Sequence, residues 1–167
     1  MLIDRLSAWN YALQLYAFPS VACDLIQLQD EFDCNVNVLL FCQYLDSLRA
    51  DVYGLEFAEL EGLLEPSSQT IAAHRQKRRI AKHKQPESYQ LLKQQELELE
   101  QLQHRSLVAI VNQYVDQKGQ VASEHGEREP ILMTYLAYCQ VPLHQRQRLA
   151  SLMKTANQGL RSESESH

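Results

Sequence analysis

Strand-forming residues are scarce in this chain, and glycine and proline occur only five times each in 167 residues. Folds built from short strands and frequent tight turns are thereby excluded. Leu, Gln, Glu and Ala dominate instead, and all four favour helices. Long hydrophobic runs are missing too. The apolar run Val38–Cys42 is far too short to span a bilayer, so no membrane partner is expected. No secretory signal is expected, because Asp4 and Arg5 interrupt the first residues and no long apolar stretch follows.

Cysteine is sparse as well. Cys23, Cys34, Cys42 and Cys139 form no C-x-x-C pair, and three lie inside apolar helical patterns. They read as buried, reduced thiols of a cytoplasmic protein. The six histidines are scattered, and none stands at zinc spacing from another His or a Cys. Nucleotide and hydrolase signatures (P-loop, G-x-G-x-x-G, G-x-S-x-G) are absent. No cofactor, metal or catalytic residue is therefore assigned.

A chain of this length forms one domain that buries roughly 70% of its unfolded surface without a disulfide or metal. Hydrophobic periodicity predicts an all-α irregular bundle of seven or eight helices. Helix 1 is expected at about 2–17, with Leu2, Leu6, Trp9, Leu13 and Tyr16 as its inner stripe. Helix 2 follows at about 20–32, capped by Ser20, with Val21, Leu25, Leu28 and Phe32 inside. Helix 3 is expected at about 36–53, stopped by Gly54. A marginal helix at 56–64 precedes a restart at Pro66, a favourable first helical residue. The next helix, about 67–84, ends before Gln85-Pro86. A helix near 86–117, about 45 Å at 1.5 Å per residue, is the longest, with a partly solvated Glu/Gln-rich first half. A loop over 118–128 leads to helices at about 130–140 and 142–157. The domain is expected to occupy 1–158, with 159–167 as a disordered tail.

Net charge is −5, unevenly spread. His74–Lys84 holds six Lys/Arg and no acid, which leaves ten cations against 21 acids elsewhere, a balance of −11. Arg75, Arg78, Arg79 and Lys82 fall at i, i+3, i+4 and i+7, one face of a helix. That face is a solvated surface, an acid-binding surface turned inward or toward a protein partner, or a phosphate-contacting surface for RNA or the ribosome. No aromatic residue interleaves the run, so base stacking is not expected.

The stretch LQDEFDCNVN between helices 2 and 3 is the other polar concentration. Asp33-x-Asn35-x-Asn37 matches the first half of a calcium loop, but Val38 stands where that loop needs glycine and Tyr44 where it needs glutamate. Asp30 and Asp33, three apart at a helix end, lack the second acidic pair of a magnesium–diphosphate site. Asp33 or Asn35 is expected to cap helix 3. Asp30 sits in the last turn of helix 2, where the helix dipole disfavours it by about 0.3–1 kcal/mol. The basic stripe near Arg78 is expected to answer it. Gln29, Asp30, Asn35, Asn37, Arg75, Arg78, Arg79 and Lys82 are the candidate ligand- or partner-binding residues.

Trp9, Leu15-Tyr16-Ala17, Pro19, Val21, Cys23, Leu28-Gln29-Asp30 and Asn35–Cys42 together resemble an uncharacterised family of short bacterial proteins, a domain of unknown function with a motif close to W…YA-x-PGV…C…LQD…DVNLLL. The resemblance is dense over 9–45, weaker over Arg75–Lys82 and Glu96–Glu100, and fades beyond about residue 120. It implies a bacterial, cytoplasmic, all-helical protein and no reaction. Asn35 stands where the family usually has Asp, and Ser20 where it often has Gly. A carboxylate base at position 35 is therefore missing. The expected function is a non-enzymatic cytoplasmic binding or adaptor protein, with an RNA- or ribosome-associated factor as one alternative. A small-molecule-binding protein or enzyme with a polar pocket at Gln29, Asp30, Asn35 and Asn37 is the other.

Overall fold

Every regular element is an α-helix in the computed structural model, which describes residues 2–52, 54–118 and 128–165. The expected all-α bundle is what is seen. Seven helices follow in order among the described residues: α1 (Arg5–Tyr16), α2 (Pro19–Phe32), α3 (Val36–Ser47), α4 (Phe57–Lys84), α5 (Pro86–Lys118), α6 (Ile131–Tyr138) and α7 (Leu143–Glu165). The expected loop over 118–128 lies, for residues 119–127, outside the described residues.

The central element is α3, from which apolar side chains project in nearly every direction. Val38, Leu39, Leu40, Phe41, Cys42, Tyr44 and Leu45 are all buried. A helix that is hydrophobic all round belongs inside a domain. Helices α1, α2, α5 and α6 pack around it. Asp46, near the end of α3, accepts from the backbone N–H groups of Ile131 (2.7 Å) and Leu132 (3.0 Å). It thereby satisfies donors at the start of α6 that have no helical partner. Burial pushes its carboxyl above the usual range, and the two backbone donors oppose that shift.

The longest elements, α4 and α5, form an antiparallel hairpin. Residue 68 faces 103, residue 75 faces 96, and residue 74 faces 92. The turn is set by Gln85, whose extended φ of −142° is imposed by Pro86.

Four boundaries depart from expectation. Helix α4 does not restart at Pro66 but runs through it. The proline leaves the Gly62 carbonyl without a donor, and burial of Leu60, Leu64 and Ile71 on one continuous face outweighs that loss. Helix α3 stops at Ser47, well before Gly54. Arg49 adopts a left-handed φ of 52°, and the Ala50 N–H reaches back to the Leu45 carbonyl in a Schellman turn built without glycine. Helix α2 begins on Pro19 with Phe18 before it, so Ser20 is not the cap. Helix α7 continues to Glu165, through residues 159–165 of the expected disordered tail. Leu160 packs against the core, a Cβ at Gly159 would come into ordinary contact with the Phe18 ring, and the serine hydroxyls of 162 and 164 bond back to backbone carbonyls.

The inner face of α1 is a further correction. Leu2, Leu6, Leu13 and Tyr16 are exposed, and the buried face is Ala8, Ala12 and Leu15. Two alanines let α1 approach α3 closely, which turns the larger stripe outward. Cys23 is also exposed, whereas Cys34 and Cys42 are buried and Cys139 half-buried.

Because Pro66 is exposed and breaks the helical ladder, Pro66→Ala is expected to stabilise the protein by about 2 kcal/mol, after part of the helical gain of about 3 is lost to a freer unfolded chain. The midpoint of urea unfolding checks this; an unchanged or lowered midpoint would mean the proline is accommodated without cost.

Candidate functional site

The stretch between α2 and α3 is a joint: its acids Asp30, Glu31 and Asp33 are exposed, whereas Asn35 is half-buried and Asn37 buried. Asp33 takes a left-handed φ of 55° and closes α2. Asn35 then caps α3, its side-chain oxygen accepting from the N–H groups of Asn37 (2.9 Å) and Val38 (3.3 Å). Its backbone N–H donates to the Tyr135 hydroxyl, which in turn donates to Glu61. Of the two expected caps, Asn35 is the one used.

Gln103 of α5, only 2% exposed, is the centre of this joint. Its oxygen accepts from Asn35 Nδ2 (3.2 Å) and Asn37 Nδ2 (3.0 Å). Its nitrogen donates to the hydroxyls of Ser67 and Ser68, both at 2.9 Å. Two acceptor and two donor bonds satisfy a buried amide completely. Three helices are thus tied at one side chain.

One and two turns up the same α5 face, Glu100 and Glu96 meet the basic stripe. Arg75 Nε lies 3.2 Å from Glu96 Oε1, and Arg75 Nη2 lies 3.3 Å from Glu100 Oε1. Arg78 Nε donates to Glu96 Oε2. Glu96 is 7% exposed. Burial and the neighbouring Glu96 push the Glu100 carboxyl up, and Arg75 pulls it back. The Glu96 partner raises the Arg78 guanidinium. The first half of α5 is partly solvated, as expected, but turns Glu96 and Gln103 inward.

The candidate residues divide accordingly. Gln29, Asn35, Asn37 and Arg75 line one cleft of about 270 Å³ between the joint and α4. Gln29, Asn37, Arg75, Arg78 and Arg79 line a second, of about 150 Å³, on the α1 side. Asp30 lines neither, is exposed, and makes no ion pair or hydrogen bond among the described residues. The expected answer from Arg78 to Asp30 is overturned, because Glu96 sits closer on the facing helix. Lys82 is exposed and lines neither cleft. The buried acid of α2 is instead Asp24, 3.1 Å from Arg148 of α7. Among the described residues no group of three His, Cys, Asp or Glu is placed to hold a metal ion.

Sequence reasoning missed Glu96, Glu100 and Gln103. Their spacing of i, i+4 and i+7 matches that of Arg75, Arg79 and Lys82, and this was the available signal. It also missed His104, 1% exposed, whose ring stands 5.5 Å from both Trp9 and Phe41 in edge-on contact. Neither ring nitrogen has a hydrogen-bond partner, and burial lowers the imidazole to about 4.

The chain belongs to the family described as a protein of unknown function (DUF2390), whose model matches residues 7–107. Every residue lining the two clefts falls inside that span. No curated protein and no solved structure matches the chain. Among the described residues no helix is long and apolar enough to cross a membrane.

Gln103→Leu is expected to cost about 2–3 kcal/mol, since it removes four hydrogen bonds and leaves the Asn35 and Asn37 amides only their longer 3.4 Å bonds to Ser68 and to the Glu100 carbonyl. A loss below about 0.5 kcal/mol in denaturant unfolding would show that water replaces the amide. The His104 pKa is lower folded than unfolded, so the native state binds fewer protons. Its contribution is complete above pH 6.5 and is lost as pH falls from there toward 4, at up to about 1.4 kcal/mol per unit. His104→Leu is expected to flatten that part of the stability–pH curve; parallel curves for the two proteins would refute the assignment.

Proposed function

We propose that this family member is a non-enzymatic cytoplasmic binding or adaptor protein that engages an acidic segment of a partner protein through the outer face of α4. One observation carries the reading. The basic run divides into cations that α5 neutralises and cations that it does not. Arg75 and Arg78 are held by Glu96 and Glu100. Lys77, Arg79, Lys82 and Lys84 are exposed, and no acid of the described chain pairs with them. Such a face on an otherwise acidic body attracts acids along one direction only.

The same arrangement supports binding over catalysis. The amides of Asn35 and Asn37 are engaged by Gln103, and among the described residues the nucleophile types lining the first cleft bond to no base: Ser68 bonds to Asn35 and Gln103, and Cys34 to Cys139. Gln29, half-buried with no side-chain hydrogen bond among the described residues, is a free polar group there. The alternative of an RNA- or ribosome-associated factor rests on the same cations and lacks aromatic residues among them.

Binding to labelled poly-L-glutamate and to bulk ribosomal RNA, each titrated against salt, tests this. Retention of polyglutamate at low salt is expected, with at least a tenfold loss in the double variant Arg79→Glu, Lys82→Glu. Tighter binding to RNA at matched salt, or unchanged affinity in the variant, would overturn the acidic-protein reading.

A further inference from the structure

The outward stripe of α1 leaves large side chains uncovered beside the neutralised arginines. Leu13 and Tyr16 are each 40% exposed, and Ile26 of α2 and Leu97 of α5 stand near them at 41% and 45%. These four rim the cleft of about 150 Å³, and Ala12 and Leu40 are among the apolar residues inside it. Trp9, half-buried, forms part of the same wall.

The charges at one end of this cleft do not cancel. Arg75, Arg78 and Arg79 meet only Glu96 and Glu100 there. Arg75 and Arg78 are committed to those glutamates. Arg79 is exposed and has no partner among the described residues. The unengaged amide of Gln29 faces the same space. An apolar hollow thus adjoins one spare guanidinium and one spare amide.

We infer that this cleft is the anchor pocket for an acidic, amphipathic protein segment. One leucine, phenylalanine or tryptophan side chain enters between Leu13, Ile26 and Leu97. A carboxylate about one helical turn away pairs with Arg79, and Gln29 meets the segment's backbone. The inference rests on the proposed function and adds what charge alone does not supply: the apolar anchor sets which acidic segment is held, while the lysines of α4 hasten its arrival. Size argues for a side chain over a lipid tail, because a cavity of this order holds a benzene-sized group. The cations continuing past the cleft to Lys82 and Lys84 argue for a partner carrying several acids.

The test is selection of a random-sequence peptide display library on the full chain at low salt, followed by titration of the recovered peptides. Recovered peptides are expected to place Phe, Trp or Leu three or four positions from Asp or Glu. Their binding shifts the emission of Trp9, the only tryptophan. Ile26→Glu is expected to weaken them at least tenfold, as is Arg79→Glu. Both positions are exposed, and thermal melting monitored by circular dichroism confirms that each variant folds. Should Ile26→Glu unfold, Leu13→Glu takes its place. Acidic peptides that lack an apolar anchor, or that bind Ile26→Glu as tightly as the native protein, overturn the anchor pocket and leave the charged face standing. Recovery of peptides without acids, or of none at all, overturns both.

Discussion

A buried glutamine amide fixes how the two longest helices lie against each other. Gln103 gathers Asn35 and Asn37 from α3 and Ser67 and Ser68 from α4. Apolar seams tolerate slippage by a turn, because one leucine replaces another at little cost. The amide does not. A slip of four residues in either direction would bring Leu99 or Leu107 to its place and remove the amide's four hydrogen bonds. The groups it served would be left underbonded, with contacts such as Asn35 Nδ2 to Ser68 Oγ at 3.4 Å and Ser67 Oγ to the Leu64 carbonyl, at about 1–3 kcal/mol for a buried group that loses its partner. The Arg–Glu pairs are less discriminating, since Glu96 and Glu100 are themselves a turn apart and a slipped Arg75 would still meet one of them. Register therefore comes from the amide, and the ion pairs follow from it.

That order explains the ion pairs. A buried pair such as Arg78–Glu96 offsets its desolvation only when further hydrogen bonds satisfy the carboxylate, and removing one partner from such a pair costs about 3–5 kcal/mol. Here Glu96 has two arginines, and both are anchored on a helix whose position Gln103 has already set. Its burial is tolerable because the cations arrive in a fixed geometry. The remaining cations of α4 have no such counterpart on α5, and for that reason they stay outside.

Fold class was legible because helical periodicity is a local property, and α2 and the start of α3 followed it closely. The errors were of a different kind. On α1 two faces satisfy the apolar period: a bulky one through Leu6 and Leu13, and a small one through Ala8 and Ala12. Periodicity ranks the bulky face first, but close approach to α3 requires the small one. Pro66 was read as a helix start and Gly54 as a stop by their intrinsic preference, yet burial across Pro66 carried α4 through it and a left-handed Arg49 ended α3 earlier. The joint at Asn35 was legible as a cap and as a polar concentration. Its partners were not, because Gln103 lies 66 residues from Asn37 and nothing local marks which glutamine of a Gln-rich helix turns inward. Asp30 was misread for the same reason: its awkward position at a helix end suggested a partner, whereas exposure to water suffices for it.

The consequence of the inverted α1 face reaches the surface. Had the bulky stripe packed inward, Leu13 and Tyr16 would fill the core and the α1–α2–α5 junction would close. With alanines inside, those side chains stand at the rim of an open hollow whose floor is core and whose end is the Arg–Glu cluster. Both features descend from α3: it draws α1 close enough to demand small residues, and its capped start receives the glutamine that holds α4 and α5 in line. The hollow is therefore shaped by the same packing that aligns the hairpin beside it. A pocket set by register and close packing keeps its shape empty, and an anchor side chain entering it meets a preformed surface instead of ordering one.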